Sequence, residues 1–181
     1  MRRVRYHVAA SLDGFIAGPN GEIDWIVRDD DVDFVDLFRQ FDTFLVGRRT
    51  YQTMLEQGRG TIPGKRLIVF SRTLRQGDHR DVRVVAGDIA DVVAELRAEA
   101  GLDIWVFGGG SLFRSLLQVG AVDTVEVAVM PVLIGAGIPL LGGLYSTTAL
   151  NLTDHRLYPK SGIVSLKYEV GSDASSGRAG A

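Results

Sequence analysis

Runs rich in apolar residues alternate along the chain with segments in which apolar residues recur every three to four positions. The clearest apolar runs cover residues 67–70 and 104–107 and predict buried strands, and residues 4–10 predict the first strand. Helical spacing follows several such runs, most clearly over residues 89–100. Strands that alternate with helices predict an α/β fold with a largely parallel sheet.

The last two strand-like segments are connected differently. Residues 150–157 and 163–170 are separated by the turn sequence Pro159-Lys-Ser-Gly162, which predicts a hairpin. An antiparallel pair at the edge of a mainly parallel sheet is common in α/β folds. Residues 171–181 are small and polar and predict a flexible tail, so residues 1–170 are expected to form a single domain.

Two earlier regions also carry structural predictions. After a cluster of aspartates, apolar residues at helical spacing predict a helix that contains Phe34, Leu37, Phe38 and Phe41. Before that cluster, residues 15–24 predict an extended loop around the turn signal Gly18-Pro-Asn-Gly21.

Composition excludes several classes of function. The chain has 181 residues, of which 46% are hydrophobic and 23% are charged, as in a typical globular domain. Its net charge of −2 offers no positive field to nucleic acid or membrane surfaces. There is no cysteine, which excludes disulfides and thiolate metal sites, and the three histidines lack metal-ligand spacing. With neither a secretory signal nor an apolar run of about 18 residues, a cytoplasmic protein is expected.

Three polar junctions follow predicted strands. They are Gly47-Arg48-Arg49-Thr50, Ser71-Arg72-Thr73 and Gly108-Gly109-Gly110-Ser111. Ligands of open α/β sheets bind beyond the carboxyl ends of the strands. A glycine-rich turn that opens a helix presents backbone N–H groups to an anion. The sequence therefore predicts phosphate sites here, although a glycine turn can also serve close packing alone.

Arg48 is the strongest single indication of a bound anion. A cation in the first turn of a helix opposes the helix dipole, at a cost of up to about 1 kcal/mol. An anion at that position offsets the cost, and arginine binds phosphate with bidentate geometry. The alternative is an arginine that points into solvent. Several phosphate sites along one sheet edge suit a dinucleotide, and the lack of a Gly-Lys-Ser/Thr sequence disfavours a nucleoside triphosphatase.

Five motifs, in order, resemble the dihydrofolate reductase superfamily. Each motif is weak alone, but their order makes the resemblance specific over residues 3–170. The motifs are Ser11-Leu-Asp-Gly-Phe-Ile16, Gly47-Arg-Arg-Thr-Tyr51, Phe70-Ser-Arg-Thr73, Val106-Phe-Gly-Gly-Gly110 and Met130-Pro-Val-Leu-Ile-Gly-Ala-Gly-Ile-Pro139. The chain is most similar to the C-terminal reductase domain of the bacterial bifunctional deaminase/reductase of riboflavin biosynthesis. This resemblance implies a three-layer α/β/α fold with NADPH as the cofactor.

The resemblance also implies cofactor contacts. Arg48 and Thr50 would hold phosphates, with Arg48 near the adenosine 2′-phosphate. The turn at residues 108–111 would receive the pyrophosphate, and residues 18–24 would form a mobile flap over the nicotinamide. The full implied set of cofactor-binding residues is Ile16, Ala17, Gly47, Arg48, Arg49, Thr50, Ser71, Arg72, Phe107, Gly108, Gly109, Gly110, Ser111 and Leu112.

On the substrate side, the resemblance places a catalytic carboxylate at Asp30. Ala10, Phe34 and Glu126 would line the substrate pocket. The alternative for Asp30 is a role, with the neighbouring aspartates, in capping the following helix. Glu126 stands where folate reductases tend to carry a small hydroxyl residue, which puts folate itself in doubt.

The implied activity is that of an NADPH-dependent oxidoreductase. Its substrate would be a heterocycle or a ribosylaminopyrimidine such as 5-amino-6-(5-phosphoribosylamino)uracil, as in riboflavin biosynthesis. The alternatives are a dihydrofolate or pteridine reductase and a non-catalytic NADPH-binding module. The apolar segment 131–139, followed by Leu140 and Leu141, predicts a homodimer because it is too apolar for a solvated connection.

Overall fold

A computed structural model describes residues 1–143 and 147–171. The strands are β1 Val4–Ser11, β2 Phe15–Ala17, β3 Phe41–Gly47, β4 Arg66–Phe70, β5 Arg83–Val85, β6 Asp103–Gly108, β7 Thr124–Met130, β8 Ile138–Pro139, β9 Leu150–Tyr158 and β10 Ile163–Val170. The helices are α1 Phe34–Arg39, α2 Arg48–Glu56, α3 Ile89–Ala98 and α4 Gly110–Gln118, and a short 3₁₀ turn covers Gln76–Asp78.

Eight of the strands form one sheet in the order β5-β4-β3-β6-β1-β7-β10-β9. The six strands from β5 to β7 are parallel, whereas β10 and β9 are antiparallel. The prediction of a parallel sheet with an antiparallel C-terminal edge is confirmed. Because the parallel strands share one direction, their carboxyl ends meet at a single edge of the sheet.

Each face of the sheet is covered by a pair of helices. Apolar residues of α3 and α4, among them Leu96 and Leu116, pack with Val4 and Val106 in one core. Apolar residues of α1 and α2 pack with Trp105 and other aromatic residues in the second core. These cores give the three-layer α/β/α arrangement that the sequence predicts. Below, the two sides are called the α3/α4 face and the α1/α2 face.

Two predicted boundaries are wrong for the same physical reason. Phe41 fits the helical spacing of α1, but it begins β3 and is fully buried, with the Arg5 guanidinium 4.6 Å from its ring centre. The sheet core buries this ring, whereas the short helix α1 buries no residue completely. Similarly, residues 15–17 of the predicted loop form β2, which pairs with β8 of the apolar segment. Pairing with distant strands determines both boundaries, and the local spacing of apolar residues gives no indication of that pairing.

Other predictions fall outside what the described residues test. The predicted tail lies outside them except for Gly171. The longest described helix, α3, has 10 residues, and none of the described helices has the length and apolarity needed to cross a bilayer. Among the described residues, no group of three or more histidine, aspartate or glutamate side chains is arranged to hold a metal ion.

Candidate active site

The three phosphate-suited junctions lie side by side at the carboxyl edge of the sheet. They follow β4, β3 and β6, which are consecutive in the sheet. Helix α2 begins at Arg48, immediately after β3, and α4 begins at Gly110, two residues beyond the end of β6. Neighbouring strands are about 4.8 Å apart, so the three junctions span about 10 Å. The fold thus brings motifs that are about 60 residues apart in the chain to one stretch of the sheet edge, which is called the groove below.

Helices α2 and α4 begin without a side-chain cap. Their N-cap residues are Gly47 and Gly109, neither of which has a side chain to accept a hydrogen bond from the first turn. In contrast, the Asp88 carboxylate at the start of α3 accepts the backbone N–H of Ala90 at 2.7 Å.

No side chain caps the first turn of α2 or α4. In α4 the Leu112 N–H donates to the Gly109 carbonyl oxygen at 2.9 Å, which leaves the N–H groups of Gly110 and Ser111 at the groove. The positive ends of both helix dipoles favour an anion there.

The glycines at this edge have identifiable steric roles. A Cβ atom on Gly109 would lie 3.3 Å from the Thr50 hydroxyl, and one on Gly47 would lie 3.4 Å from the Gly108 carbonyl oxygen. Gly108 has a φ of 141°, and its peptide bond to Gly109 is cis. The start of α2 thus packs directly against the turn after β6.

Close packing against the segment 131–139 leaves no room for a side chain at Gly110. A Cβ atom at this position would lie 2.8 Å from the carbonyl oxygen of Pro139. The third glycine of the motif therefore serves close packing against the apolar segment. The structure supports both readings of the glycine motif, with Gly110 as the packing residue and Gly109 as the uncapped helix start.

The charged and hydroxyl side chains of the junctions differ in availability. Arg48 is exposed and donates a hydrogen bond to Gln52 Oε1 at 3.0 Å. Ser71 is buried, and its hydroxyl accepts the N–H groups of Thr73 and Leu74 at 3.2 and 3.0 Å, which shapes the turn. The other junction residues that are exposed to solvent are Arg49, Arg72, Thr73 and Ser111.

Two predicted contacts have side chains that point away from the groove. Phe107 packs among the aromatic rings of the α1/α2 face, 5.7 Å from Phe44 between ring centres. Leu112 is buried in the core of the α3/α4 face. Only the backbone of these residues is therefore placed to contribute to a ligand site.

Ile16 and Ala17 are held at the groove by the second, two-stranded sheet. They belong to β2, and the Leu140 N–H donates to the Gly14 carbonyl oxygen at 2.8 Å just beyond the pairing with β8. The Asp13 carboxylate accepts the Gly135 N–H at 2.7 Å. The pKa of Asp13 is lowered, first by the Ser11 hydroxyl and then by backbone N–H groups. These bonds anchor the base of the predicted flap.

The predicted flap, residues 18–24, continues from β2 toward helix α2. Its turn is closed by the Glu22 carboxylate, which accepts the backbone N–H of Asn20 at 2.9 Å. Together with Ile26, Arg28 and Gln57, residues 21–24 line an open pocket beside the C-terminal end of α2. The flap therefore lies on the side of the sheet that carries α1 and α2.

The aspartate cluster separates into distinct roles. Asp30, the predicted catalytic residue, is exposed. Asp33 is the N-cap of α1, and its carboxylate accepts the Asp36 N–H at 2.8 Å. Asp31 forms an exposed ion pair with Lys160 at 3.0 Å. Capping is thus performed by Asp33, which leaves Asp30 free of that role.

Asp29 is the aspartate of this cluster that the fold covers, with 8% of its surface exposed. It is shielded by its own turn and by the neighbouring Ser161 rather than by a deep layer of protein. The Asp29 pKa is lowered because the Ser161 hydroxyl and the Asp31 N–H favour the carboxylate. Asp29 Oδ1 accepts the Asp31 N–H at 2.9 Å, whereas Asp29 Oδ2 makes no hydrogen bond within the described residues. Sequence reasoning missed Asp29 because its burial comes from a segment 130 residues away.

Glu126 is committed to an internal ion pair. Its two oxygens accept Nε and Nη2 of Arg5 at 2.7 and 2.8 Å, and the Thr124 hydroxyl adds a third bond at 3.2 Å. Burial is the largest single influence and opposes the charge of Glu126, but the hydrogen bonds and charge of Arg5, together with the charges of His7 and Lys167, lower its pKa overall. The sequence suggested a residue that faces the substrate, whereas the structure shows a carboxylate whose two oxygens are occupied.

Phe34 and Ala10 are also placed by the fold. Phe34 begins α1 and is 56% exposed, so little of the protein covers its ring. Ala10 is buried in the core of the α3/α4 face, opposite to Glu126. The structure thus does not bring the side chains of Ala10, Phe34 and Glu126 together, and only the backbone of Ala10 reaches the groove edge.

The described strands and helices form a dihydrofolate reductase-like α/β fold. The dihydrofolate reductase of Enterococcus faecalis, solved in complex with NADP(H), superposes with a TM-score of 0.67 at 16% identity, covering 94% of this chain and 97% of that one. Within this fold class, residues 2–164 match the family of the RibD C-terminal domain. The chain belongs to that family.

Two similar proteins cover almost the whole chain. The uncharacterized protein YyaP of Bacillus subtilis (strain 168) is 33% identical over 180 residues, which is 92% of this chain and 94% of YyaP. The crystal structure of a candidate riboflavin biosynthesis protein from Shewanella sp. PV-4 has a TM-score of 0.81 at 28% identity, covering 95% of this chain and all of that one. The resemblance drawn from the five motifs is confirmed.

Proposed function

We propose that the protein is an NADPH-dependent reductase of a heterocyclic substrate. The observation that carries the proposal is the pair of uncapped helix starts, at Gly47–Arg48 and Gly109–Gly110, on adjacent strands of the carboxyl edge. Two such helix ends separated by a bare glycine turn suit a ligand with several phosphates. Family membership supports reduction as the chemistry.

The residues present fit the phosphates of a dinucleotide. The N–H groups around Gly109 to Ser111 would bind the pyrophosphate, and Thr50 lies against the same turn, where its hydroxyl can donate to a phosphate oxygen. The Arg48 guanidinium would exchange its bond to Gln52 for the adenosine 2′-phosphate. When bound, NADPH supplies the hydride, and the carboxyl ends of β1 and β6 would position its nicotinamide.

Titration with NADPH and NADH, followed by the change in nucleotide fluorescence, tests the cofactor. We expect saturable binding of NADPH with a clear preference over NADH. Equal affinity for both nucleotides would contradict the role of Arg48, and failure of both to bind at high micromolar concentration would contradict the proposal as a whole.

The proposed substrate is a ribosylaminopyrimidine such as 5-amino-6-(5-phosphoribosylamino)uracil. Family membership supports it over dihydrofolate. The alternative of a dihydrofolate or pteridine reductase is tested in the same assay, because NADPH oxidation is followed at fixed enzyme concentration with each compound in turn.

The proposed proton donor is a carboxylate of the segment before α1. Asp30 is the residue that the resemblance designates. Asp29, whose Oδ2 is buried without a partner but whose lowered pKa favours the ionised form, is the neighbouring carboxylate against which Asp30 is compared. We expect replacement of the active carboxylate by asparagine to slow turnover by at least about 100-fold, the usual contribution of a general acid. Asp30→Asn and Asp29→Asn, measured side by side, identify it. If both variants retain turnover, a carboxylate donor is excluded while reductase activity stands.

A non-catalytic NADPH-binding module is the second candidate. The exposure of Asp30 and the internal pairing of Glu126 favour it, because neither carboxylate is then poised for chemistry. NADPH binding without oxidation in the presence of either heterocycle would support this candidate over the enzyme.

We also propose a homodimer, on revised grounds. Part of the apolar segment packs against the chain itself, since Leu140 and Leu141 lie against the core of the α3/α4 face. Other large apolar side chains stay exposed, among them Leu133 at 72% and Leu157 at 59%. Sedimentation equilibrium at micromolar concentration is expected to give twice the mass of one chain, and a monomer mass would refute the dimer.

A further inference from the structure

A row of small side chains crosses three neighbouring strands on the α1/α2 face. In the register of the sheet, Ala9 of β1 lies opposite Ala128 of β7, and Ala128 lies opposite Ser165 of β10. Side chains that are directly opposite in a sheet project from the same face. Arg5 fixes which face this is, because it is four residues before Ala9 on the same strand and its guanidinium lies over Phe41 of the α1/α2 core.

This row is unusual for the centre of an eight-stranded sheet. Ala9, Ala128 and Ser165 are all half-buried, although each strand has a hydrogen-bonded neighbour on both sides. Three short side chains in line leave a shallow, flat area about two strand spacings, or about 10 Å, across. An area of this shape suits a planar ring laid against the sheet.

The next row along the strands forms a polar border. His7 lies opposite Glu126, and Glu126 lies opposite Lys167. Both Glu126 oxygens are bound to Arg5, as described above. The His7 ring is flanked by Trp105, with ring centres 5.4 Å apart in an edge-on arrangement, and Trp105 in turn contacts Phe38 of α1. The His7 ring thus lies between the Trp105 ring and the Glu126 carboxylate, whose charge is balanced by Arg5, at one end of the flat area.

The electrostatic surroundings favour a neutral His7 ring. Burial lowers the pKa of His7, Glu126 on β7 partly opposes this effect, and Arg5 on β1 and Lys167 on β10 add to it. On its other side, β6 contributes the uncharged ring of Trp105. A neutral imidazole has one hydrogen-bond donor and one acceptor, as do the amide-like edges of pyrimidine and pterin rings.

The flat area also adjoins the proposed cofactor groove. Ala9 and Ala128 each lie two residues before the carboxyl end of their strands, and β1 is the direct neighbour of β6, from which the Gly108–Gly109 turn emerges. We propose that the row Ala9, Ala128 and Ser165 is the seat of the substrate's planar heterocycle and that His7 is the side chain that hydrogen-bonds to the ring. This inference rests on the proposed function and names the substrate-contacting residue within it.

The seat is tested with free heterocycles, which requires no knowledge of the true substrate. Uracil, 2,4-diaminopyrimidine and pterin are added at millimolar concentration to the full-length protein with and without NADPH. The ring protons of the three histidines are followed by NMR and assigned with His7→Gln, His79→Gln and His155→Gln. At least one compound is expected to shift the His7 resonance while that of His155, which is exposed on β9, stays in place.

Two variants then separate the shape of the seat from its hydrogen bond. Ala128→Leu fills the flat area and is expected to abolish the His7 shift. His7→Phe removes one hydrogen bond between neutral groups and is expected to weaken binding of the same compound about three- to tenfold. The affinity for NADPH should change less than twofold in both variants, and thermal unfolding verifies that both are folded.

Each outcome of these experiments supports or overturns the proposed seat of the heterocycle. If no compound shifts His7, or if a compound binds equally well to wild type, Ala128→Leu and His7→Phe, the seat is overturned. If the compounds shift His7 but NADPH does not bind, the seat stands and the proposed cofactor fails, so the two failures are distinguishable.

Discussion

The two halves of the carboxyl edge are constructed on different principles. The half formed by β4, β3 and β6 offers backbone N–H groups at helix starts, with glycines that keep them bare. The half formed by β1, β7 and β10 offers side chains on the α1/α2 face behind this edge, among them His7 and the buried ion pair of Arg5 with Glu126. A site of backbone N–H groups is formed by residues that are consecutive in the sequence. A site of side chains depends instead on strands that are more than 100 residues apart.

This difference separates what binds a common cofactor from what selects a substrate. The pyrophosphate is common to NADPH and NADH, so helix ends and glycine turns suffice to hold it. Selection of one ring over another requires donors and acceptors at defined positions, and side chains supply these. We therefore expect substitutions on the two halves to affect different measurements.

The largest effect, a loss of stability, is expected at the ion pair of Arg5 with Glu126. Glu126→Gln leaves the buried Arg5 guanidinium without its main counter-charge, and loss of one partner of a buried pair costs about 3 kcal/mol. The free energy of unfolding in urea should fall by about this amount. The matched control is Glu169→Gln, since Glu169 pairs with Arg3 at the same distance of 2.8 Å but at an exposed position. There the loss should stay below about 1 kcal/mol.

The same pair predicts a dependence on pH. The folded-state pKa of Glu126 lies below its ordinary value of 4.5, so its contribution to stability is complete above pH 4.5 and fades as the pH falls through the folded-state pKa. The difference in stability between wild type and Glu126→Gln should therefore shrink below pH 4.5. A difference that stays constant between pH 7 and pH 3 would show that the charge of Glu126 is not what stabilises the fold.

The sequence predicts the backbone half of the site far better than the side-chain half. The positions of Arg48 at a helix start and of Gly108 and Gly109 beside it follow from local spacing, and the structure joins them at one edge. In contrast, the pairing of Glu126 with Arg5 and the cover of Asp29 by the β9–β10 turn depend on sheet register and on long-range packing. No local pattern reports either contact.

The second-largest effect, on NADPH affinity, is expected at the Gly108–Gly109 turn. Gly109→Ala places a methyl group at the uncapped start of α4, only 3.3 Å from the flexible Thr50 hydroxyl, so the fold tolerates it while the groove narrows. The affinity for NADPH, measured by fluorescence titration, should fall about tenfold or more, which corresponds to about 1.4 kcal/mol. Gly87→Ala is the control, because this glycine lies at the same sheet edge in open space, before the capped helix α3. If both variants bind NADPH like wild type, the turn is a packing element only.

The smallest effect is expected at Arg48. Within the half formed by β4, β3 and β6, Arg48 is the side chain proposed to distinguish NADPH from NADH. Arg48→Gln removes a charged hydrogen bond to the 2′-phosphate. Solvent exposure limits the loss to about 1 kcal/mol, or about fivefold in NADPH affinity. NADH lacks that phosphate, so its affinity should not change, and Arg59→Gln beyond the other end of α2 should affect neither nucleotide. Equal weakening of NADPH and NADH by Arg48→Gln would move the contact from the adenosine phosphate to the pyrophosphate, which both nucleotides share.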